Sequence, residues 1–210
     1  MTGKTHMLFG YVTSLYILPK LGYDPSIATT AAAALGSLIP DLDHPKAKLN
    51  QKILPIKNRF GKVLFYCGIG SFLIYRYGWA HQLIFTVAIL LMVIGLSQHR
   101  SFTHSILGTG IIFFIVFFIL KDMLPYTLLL SFLLGMASHL VGDFITIGGI
   151  ELFYPFSNKK YKFILTISSA KLAEPLICIF FMYLIIYFYI GHNKSIHFIY
   201  DLIKKFTCFY

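Results

Sequence analysis

Residues 124–147 read LPYTLLLSFLLGMASHLVGDFITI, from Leu124 to Ile147, and this stretch decides the fold. It is long enough for a membrane span, which needs roughly 20 mostly apolar residues. From Leu128 to Ile147 its only ionisable side chains are His139 and Asp143. Spaced i, i+4 on a helix, they share one face. An acid and an imidazole at the end of a span are costly unless they pair or bind something. Two readings therefore stand for this pair: a buried hydrogen bond, or half of a ligand site.

The rest of the chain resembles this stretch. Of 210 residues, 57% are hydrophobic and only 12% charged, and mean hydropathy is +0.74. A soluble domain carries about twice that charged fraction. The aromatic content of 17%, with 21 Phe and 14 Tyr, suits a lipid-facing surface with rings at the interfaces. Cys67, Cys178 and Cys208 lie far apart in apolar or terminal segments and form neither a CxxC pair nor a disulfide framework. The net charge of +10 invites a nucleic-acid partner. That reading fails, because the Lys and Arg residues sit in loops between apolar runs and no basic helix with interleaved aromatics is present.

Seven apolar stretches can be marked, at about 7–19, 26–40, 61–77, 80–97, 105–121, 124–147 and 172–191. The last five reach or approach a full span. The first two are short, which suits a half-inserted hairpin or segments shielded by the others. Ala31–Ala34 in the second favours close helix packing. The expected fold is an all-α, polytopic integral membrane bundle of about five to seven membrane-embedded helices. It forms one domain over 1–194, with a short basic and aromatic tail at 195–210. The N-terminal run lacks a nearby small-x-small cleavage site and is expected to be retained. If each stretch crosses or reverses once, the N-terminus and the loops 41–60, 98–104 and 148–171 share a side. That side, with Lys62 at the start of the next stretch, holds twelve of the 18 Lys and Arg residues, so it is expected to face the cytoplasm.

Four polar clusters interrupt the apolar pattern, and the same count puts all of them on that side. They are Thr5-His6, the run Pro40-Asp41-Leu42-Asp43-His44-Pro45, the run His99-Arg100-Ser101-Phe102-Thr103-His104, and Ser138 to Asp143. Prolines on both sides stiffen the Asp41–His44 segment, which lowers the ordering cost of ligation. His99 and His104 are five apart and converge more easily if Arg100–Thr103 is a turn, with Ser101 or Thr103 capping the next helix. The candidate metal ligands are His6, Asp41, His44, His99, His104, His139 and Asp143. His and Asp without thiolate suit zinc first, with Mn²⁺ or Fe²⁺ as alternatives. Seven candidates exceed the four of one tetrahedral zinc, so one or two ions are expected. Arg100 offers a fork for an anion, and Asp43 is expected as a ligand or as general base. Glu151, Glu174 and His81 read as caps or interface groups.

These motifs, in the order Thr5-His6, Leu35-Gly36-Ser37-Leu38-Ile39-Pro40-Asp41-Leu42-Asp43-His44, His99-Arg100-Ser101-Phe102-Thr103-His104-Ser105, Ser138-His139-Leu140-Val141-Gly142-Asp143 and Leu152 to Ser157, resemble a bacterial family of inner-membrane, metal-dependent hydrolases of the LexA-regulated type. The likeness runs from residue 2 to about 157. More distantly, the opening pattern and the HxxxD pair are similar to zinc-dependent phospholipase C enzymes. That second likeness implies His6, Asp41, His139 and Asp143 as ligands, and it departs at residues 99–104. The first resemblance implies a multi-pass protein of the bacterial inner membrane.

The expected function is metal-assisted hydrolysis of a phosphoester on a lipid or lipid-linked substrate, with the bilayer as the constant partner. Two other classes compete. A divalent-cation transporter would need ligands near the midplane, reached from both sides. A metal-stabilised scaffold would need a closed site.

Overall fold

The computed structural model describes residues 1–44, 58–98, 100–164, 166 and 173–192. They form seven α-helices: α1 (Gly3–Lys20), α2 (Ile27–Gly36), α3 (Arg59–Tyr77), α4 (Gln82–Leu96), α5 (Ile106–Leu120), α6 (Tyr126–Phe144) and α7 (Ala173–His192). Short 3-10 turns lie at Pro40–Asp43, Gly78–Ala80 and Phe102–His104. Among the described residues the only extended pairing is a single bridge between Ile150 and Tyr161. The all-helical expectation therefore holds. The tail 195–210 and His99 lie outside the described residues.

Local chemistry sets the helix ends. Ser26 and Thr29 form a reciprocal capping box at the start of α2. The Asn58 side chain accepts from the Gly61 amide at 2.8 Å at the start of α3. Gly78, at φ +54°, ends α3 in a conformation that glycine adopts without steric penalty. Pro125 immediately precedes α6, where its missing N–H is no loss.

The second apolar stretch is shorter as a helix than its sequence suggests. It stops at Gly36, and Pro40 then opens the 3-10 turn, because proline cannot supply the amide that a continuing helix needs. Among the described residues only α6 is long and apolar enough to cross a membrane by length and composition. The helices Gln82–Leu96, Ile106–Leu120 and Ala173–Tyr189 are apolar but shorter.

Helices α1, α2 and α6 pack mutually as one group, with α7 against α1. Helices α3 and α4 pair as a hairpin, and α5 packs on α4. Helices α2 and α6 meet backbone to backbone. A Cβ placed on Gly135 would lie 1.9 Å from the Ala33 carbonyl oxygen, and one on Gly36 would lie 2.2 Å from that of Phe132. Small residues permit this approach, as the Ala31–Ala34 run suggested. Large apolar side chains, including Phe72, Tyr75, Trp79, Phe114, Tyr183 and Tyr187, cover the outside. A surface of that kind is stable against hydrocarbon rather than water.

Candidate metal centre

Four separated segments deliver the site to one end of the bundle. His6 comes from the first turns of α1, Asp41 and Asp43 from the 3-10 turn Pro40–Asp43, His104 from the turn Phe102–His104, and His139 and Asp143 from the end of α6. The α2–α6 contact sets the placement of His139, since it carries the Ser37 carbonyl onto the imidazole. Gly142 leaves room for His6, because a Cβ there would sit 3.1 Å from His6 Cε1. Phe102–His104 forms a 3-10 turn, overlapping the stretch read as a turn from the spacing. The cap of the next helix, however, is Ser105, whose hydroxyl accepts from the Gly108 amide at 2.9 Å.

Two sets of ligand atoms each gather within 4.8 Å: His6, His139 and Asp143, and Asp41, His104 and His139. His139 belongs to both. Its ring stacks on His6 with centroids 3.8 Å apart and meets His104 edge-on at 4.9 Å. Asp143 divides its oxygens between partners. Oδ1 lies 3.3 Å from His6 Nε2, while Oδ2 lies 3.4 Å from His104 Nε2 and 3.7 Å from His139 Nε2. Asp41 Oδ1 stands 4.0 Å from His139 Nε2, and Asp41 alone of the five is partly open, at 26% side-chain exposure.

The outward nitrogens of two rings are already engaged. His139 Nδ1 lies 2.7 Å from the Ser37 carbonyl, so it must carry the proton and donate. His104 Nδ1 lies 3.4 Å from Asp43 Oδ2 and 3.1 Å from the Thr103 hydroxyl, and that hydroxyl itself donates to Asp43 Oδ2. This pattern, an imidazole backed by a carbonyl or carboxylate, is how metal-ligating histidines are commonly oriented. It leaves both Nε2 atoms facing inward, 3.1 Å from each other. Two bare lone pairs at that distance repel, so the arrangement requires a proton or a cation between them. In the metal-free chain a proton serves. Burial alone would lower His104, but hydrogen bonds to Asp143 and Asp43 outweigh it and push its pKa up to about 9.

His6 supplies a second test of the donor set. Both of its ring nitrogens are buried without a hydrogen-bond partner among the described residues. Nε2 is close to Asp143 Oδ1 but lacks hydrogen-bond geometry. A buried, unsatisfied imidazole costs about 1–3 kcal/mol unless something fills its place, and a divalent cation would do so. Burial also raises the Asp41 carboxyl above its ordinary range, against the opposing pull of His6 and His104. A cluster of three imidazoles and two carboxylates therefore fits a divalent ion in charge and in donor type.

The remaining expected site residues lie elsewhere. His44 ends the Pro40–Asp43 turn, half-buried, and belongs to neither ligand set. Asp43 is fully buried behind His104 and also belongs to neither. Arg100 adopts φ +62°, and its guanidinium packs on Gly148, where an added Cβ would lie 2.0 Å from Nη1. Its Nε is buried without a partner among the described residues. Lys62 differs most from its sequence reading. Its charge is one of the twelve assigned to the cytoplasmic side, yet the side chain is 1% exposed.

The family model for the YdjM inner membrane protein matches residues 1–201. The chain belongs to that family. A Bacillus subtilis (strain 168) relative, the uncharacterized protein YvsG, is 29% identical over 177 residues, covering 84% of this chain and 87% of its own length. The inner membrane protein YdjM of Escherichia coli (strain K12) is 25% identical over 166 residues, covering 74% of this chain and 66% of its own length. No solved structure matches. Membership of the YdjM family makes this a membrane protein, as the composition required. All five residues of the two ligand sets fall within the family match.

Proposed function

We propose that the protein is a membrane-embedded, metal-dependent hydrolase that cleaves a phosphoester of a lipid or lipid-linked substrate. The observation that carries this reading is the convergence of His6, Asp41, His104, His139 and Asp143 from four segments, with one of the five reaching solvent. A structural ion is usually closed off by its ligands, whereas a catalytic one keeps an open position. The partial exposure of Asp41 supports the second kind. The helices cross the inner membrane several times, with the site at the cytoplasmic face, in keeping with the distribution of Lys and Arg.

His6, His139 and Asp143 would hold one ion, and Asp41 and His104 would complete the set or hold a second. Zinc suits the donors best. When bound, the ion supplies Lewis acidity and an activated water near neutral pH. The protein's own groups do the rest. Asp43 keeps the His104 ring turned inward, and the Ser37 carbonyl does the same for His139. Where Asp41 is not engaged as a ligand, its partly exposed carboxylate would take the proton from the water side. Arg100, whose guanidinium packs on Gly148 beyond the end of α6, would neutralise charge on the phosphoryl oxygens of a substrate that reaches it.

A cavity of about 490 Å³ favours a lipid over a soluble ester. It lies between α5 and α6, walled by Ile106, Leu133, Leu140, Val141, Phe144 and Leu152. Leu140 and Phe144 each follow a candidate ligand by one residue, and Ile106 follows His104 by two. The volume and lining suit a single acyl chain.

The test is metal analysis of the protein purified in detergent, alongside hydrolysis of soluble and lipid phosphoesters, repeated with Asp143→Ala. Stoichiometric metal and metal-dependent cleavage, both lost in the variant, are expected. Metal without cleavage of any ester would sink the hydrolase reading and leave a scaffold or a transporter. Absence of metal from the native protein would sink all three.

A further inference from the structure

Lys62 is a charged group that the reading above does not use. Its ammonium donates to three main-chain carbonyls: Asp43 at 2.9 Å, Ile94 at 3.0 Å and Ser97 at 2.5 Å. An ammonium has three donors, and here all three are spent on backbone. Two of the acceptors lie at the C-terminal end of α4, where unpaired carbonyls and the helix dipole favour a cation. The third belongs to the last residue of the Pro40–Asp43 turn. Removing a cation from water is costly, and here the cost is offset by three hydrogen bonds that tie the ammonium to two separate segments.

What it holds can be followed residue by residue. Lys62 fixes the Asp43 main chain, the Asp43 carboxylate engages Thr103 and His104 Nδ1, and His104 Nε2 faces the ligand cluster. The same ammonium secures Ser97, three residues before Arg100. Helix α3 supplies no ligand of its own, yet through Lys62 it connects the two turns that carry Asp41 and His104.

We infer that Lys62 is a positioning residue of the metal centre, its ammonium setting the Asp43–His104 pair against the end of α4. The inference rests on the metal reading for its function but not for its geometry, so two measurements separate them. In the metal-free full-length protein, the His104 imidazole is followed by nitrogen NMR in wild type and in Lys62→Arg, Lys62→Gln and Lys62→Met. The hydrogen-bonded Nδ1 signal of His104 should weaken in that order, while His139, held by Ser37, stays unchanged. Cobalt(II) titration of the same variants should show affinity falling by roughly 10–100-fold for Met, as for loss of other groups that support a ligand. The visible band should change shape, with partial recovery in Arg. If Met does not fold, the Arg and Gln variants still give two points on the series. A His104 signal and cobalt spectrum identical to wild type in folded Gln or Met variants would overturn the inference. An altered His104 signal in a protein that binds no cobalt would support the positioning role and sink the metal reading alone.

Discussion

His139 Nδ1 and the Ser37 carbonyl oxygen stand 2.7 Å apart, joining the end of α2 to the ligand-bearing end of α6. The bond fixes the imidazole tautomer and turns Nε2 toward His104 and Asp143. It exists because α2 and α6 touch through Gly36 and Gly135, so the site's electronic state is set by helix packing some distance away. Gly135→Ala should separate the helices, since the new Cβ would collide with the Ala33 carbonyl. The expected cost is about 1–3 kcal/mol of stability, as for other overpacked positions. Thermal unfolding should show it, and metal affinity should fall as Ser37 withdraws from His139.

The two carboxylates nearest His104 should behave differently on substitution. Asp143 divides its oxygens among three imidazoles, so Asp143→Asn should abolish stoichiometric metal. Asp43 meets His104 at Nδ1, the side turned away from the cluster, so Asp43→Asn should weaken binding by roughly 10–100-fold while leaving the stoichiometry intact. Isothermal titration with zinc distinguishes these outcomes. Equal losses in the two variants would place Asp43 among the ligands.

The acidity of His104 gives a pH dependence whose sign can be worked out. Its pKa is raised in the folded metal-free chain to about 9, against 6.5 for an unperturbed histidine. The stability it contributes is fully present below 6.5 and is lost as pH rises through about 9. A metal ion must displace the same proton, so zinc affinity should climb roughly tenfold per pH unit across that window. Metal-free protein should therefore melt at lower temperature at pH 9 than at pH 6.5. Zinc-loaded protein should show a smaller fall or a rise. Thermal melts at the two pH values, with and without zinc, check this.

The legibility of these features in the sequence followed their physics. Apolar runs and the helical spacing of His139 and Asp143 are local signals, so the all-α membrane character and this pair could be read directly. The turn before α5 was readable because two histidines five apart converge more easily across a turn than along a helix, and Phe102–His104 is one. What could not be read depends on contacts between distant segments. Nothing local separates Asp41, at the mouth, from Asp43, buried behind a ring, since the two are two residues apart in the same turn. Ser37 acts through its main chain, which carries no side-chain signature. Lys62 begins an apolar helix and looks like any interfacial cation; a cation four residues before Tyr66 on a face otherwise small or aromatic is at best a weak hint of burial.

Arg100 stands outside both ligand sets, and that separates its effect from theirs. Arg100→Lys keeps charge but loses the planar fork that phosphoryl oxygens would engage. Metal content should stay at the native level while turnover of a phosphoester falls on the order of 10²–10³-fold, the usual loss for one charge-stabilising donor. Steady-state kinetics with metal analysis of the same preparation decide the point. Parallel loss of metal would instead make Arg100 a structural element of the turn.

The cavity between α5 and α6 gives the sharpest test of a lipid substrate. Gly110 lines it, and a side chain added there would enter open space, so Gly110→Phe should fill the cavity without disturbing the fold. Helix propensity favours the change, since glycine is the poorer residue in a helix interior. If the cavity takes an acyl chain, hydrolysis of a long-chain phospholipid should fall at least tenfold. Cleavage of a short soluble phosphoester, and the bound metal, should be unaffected. Equal loss on both substrates would mean that the side chain reaches the ligands. No loss on either would mean that the tail lies elsewhere on the apolar surface, and that the cavity is ordinary space between two loosely packed helices.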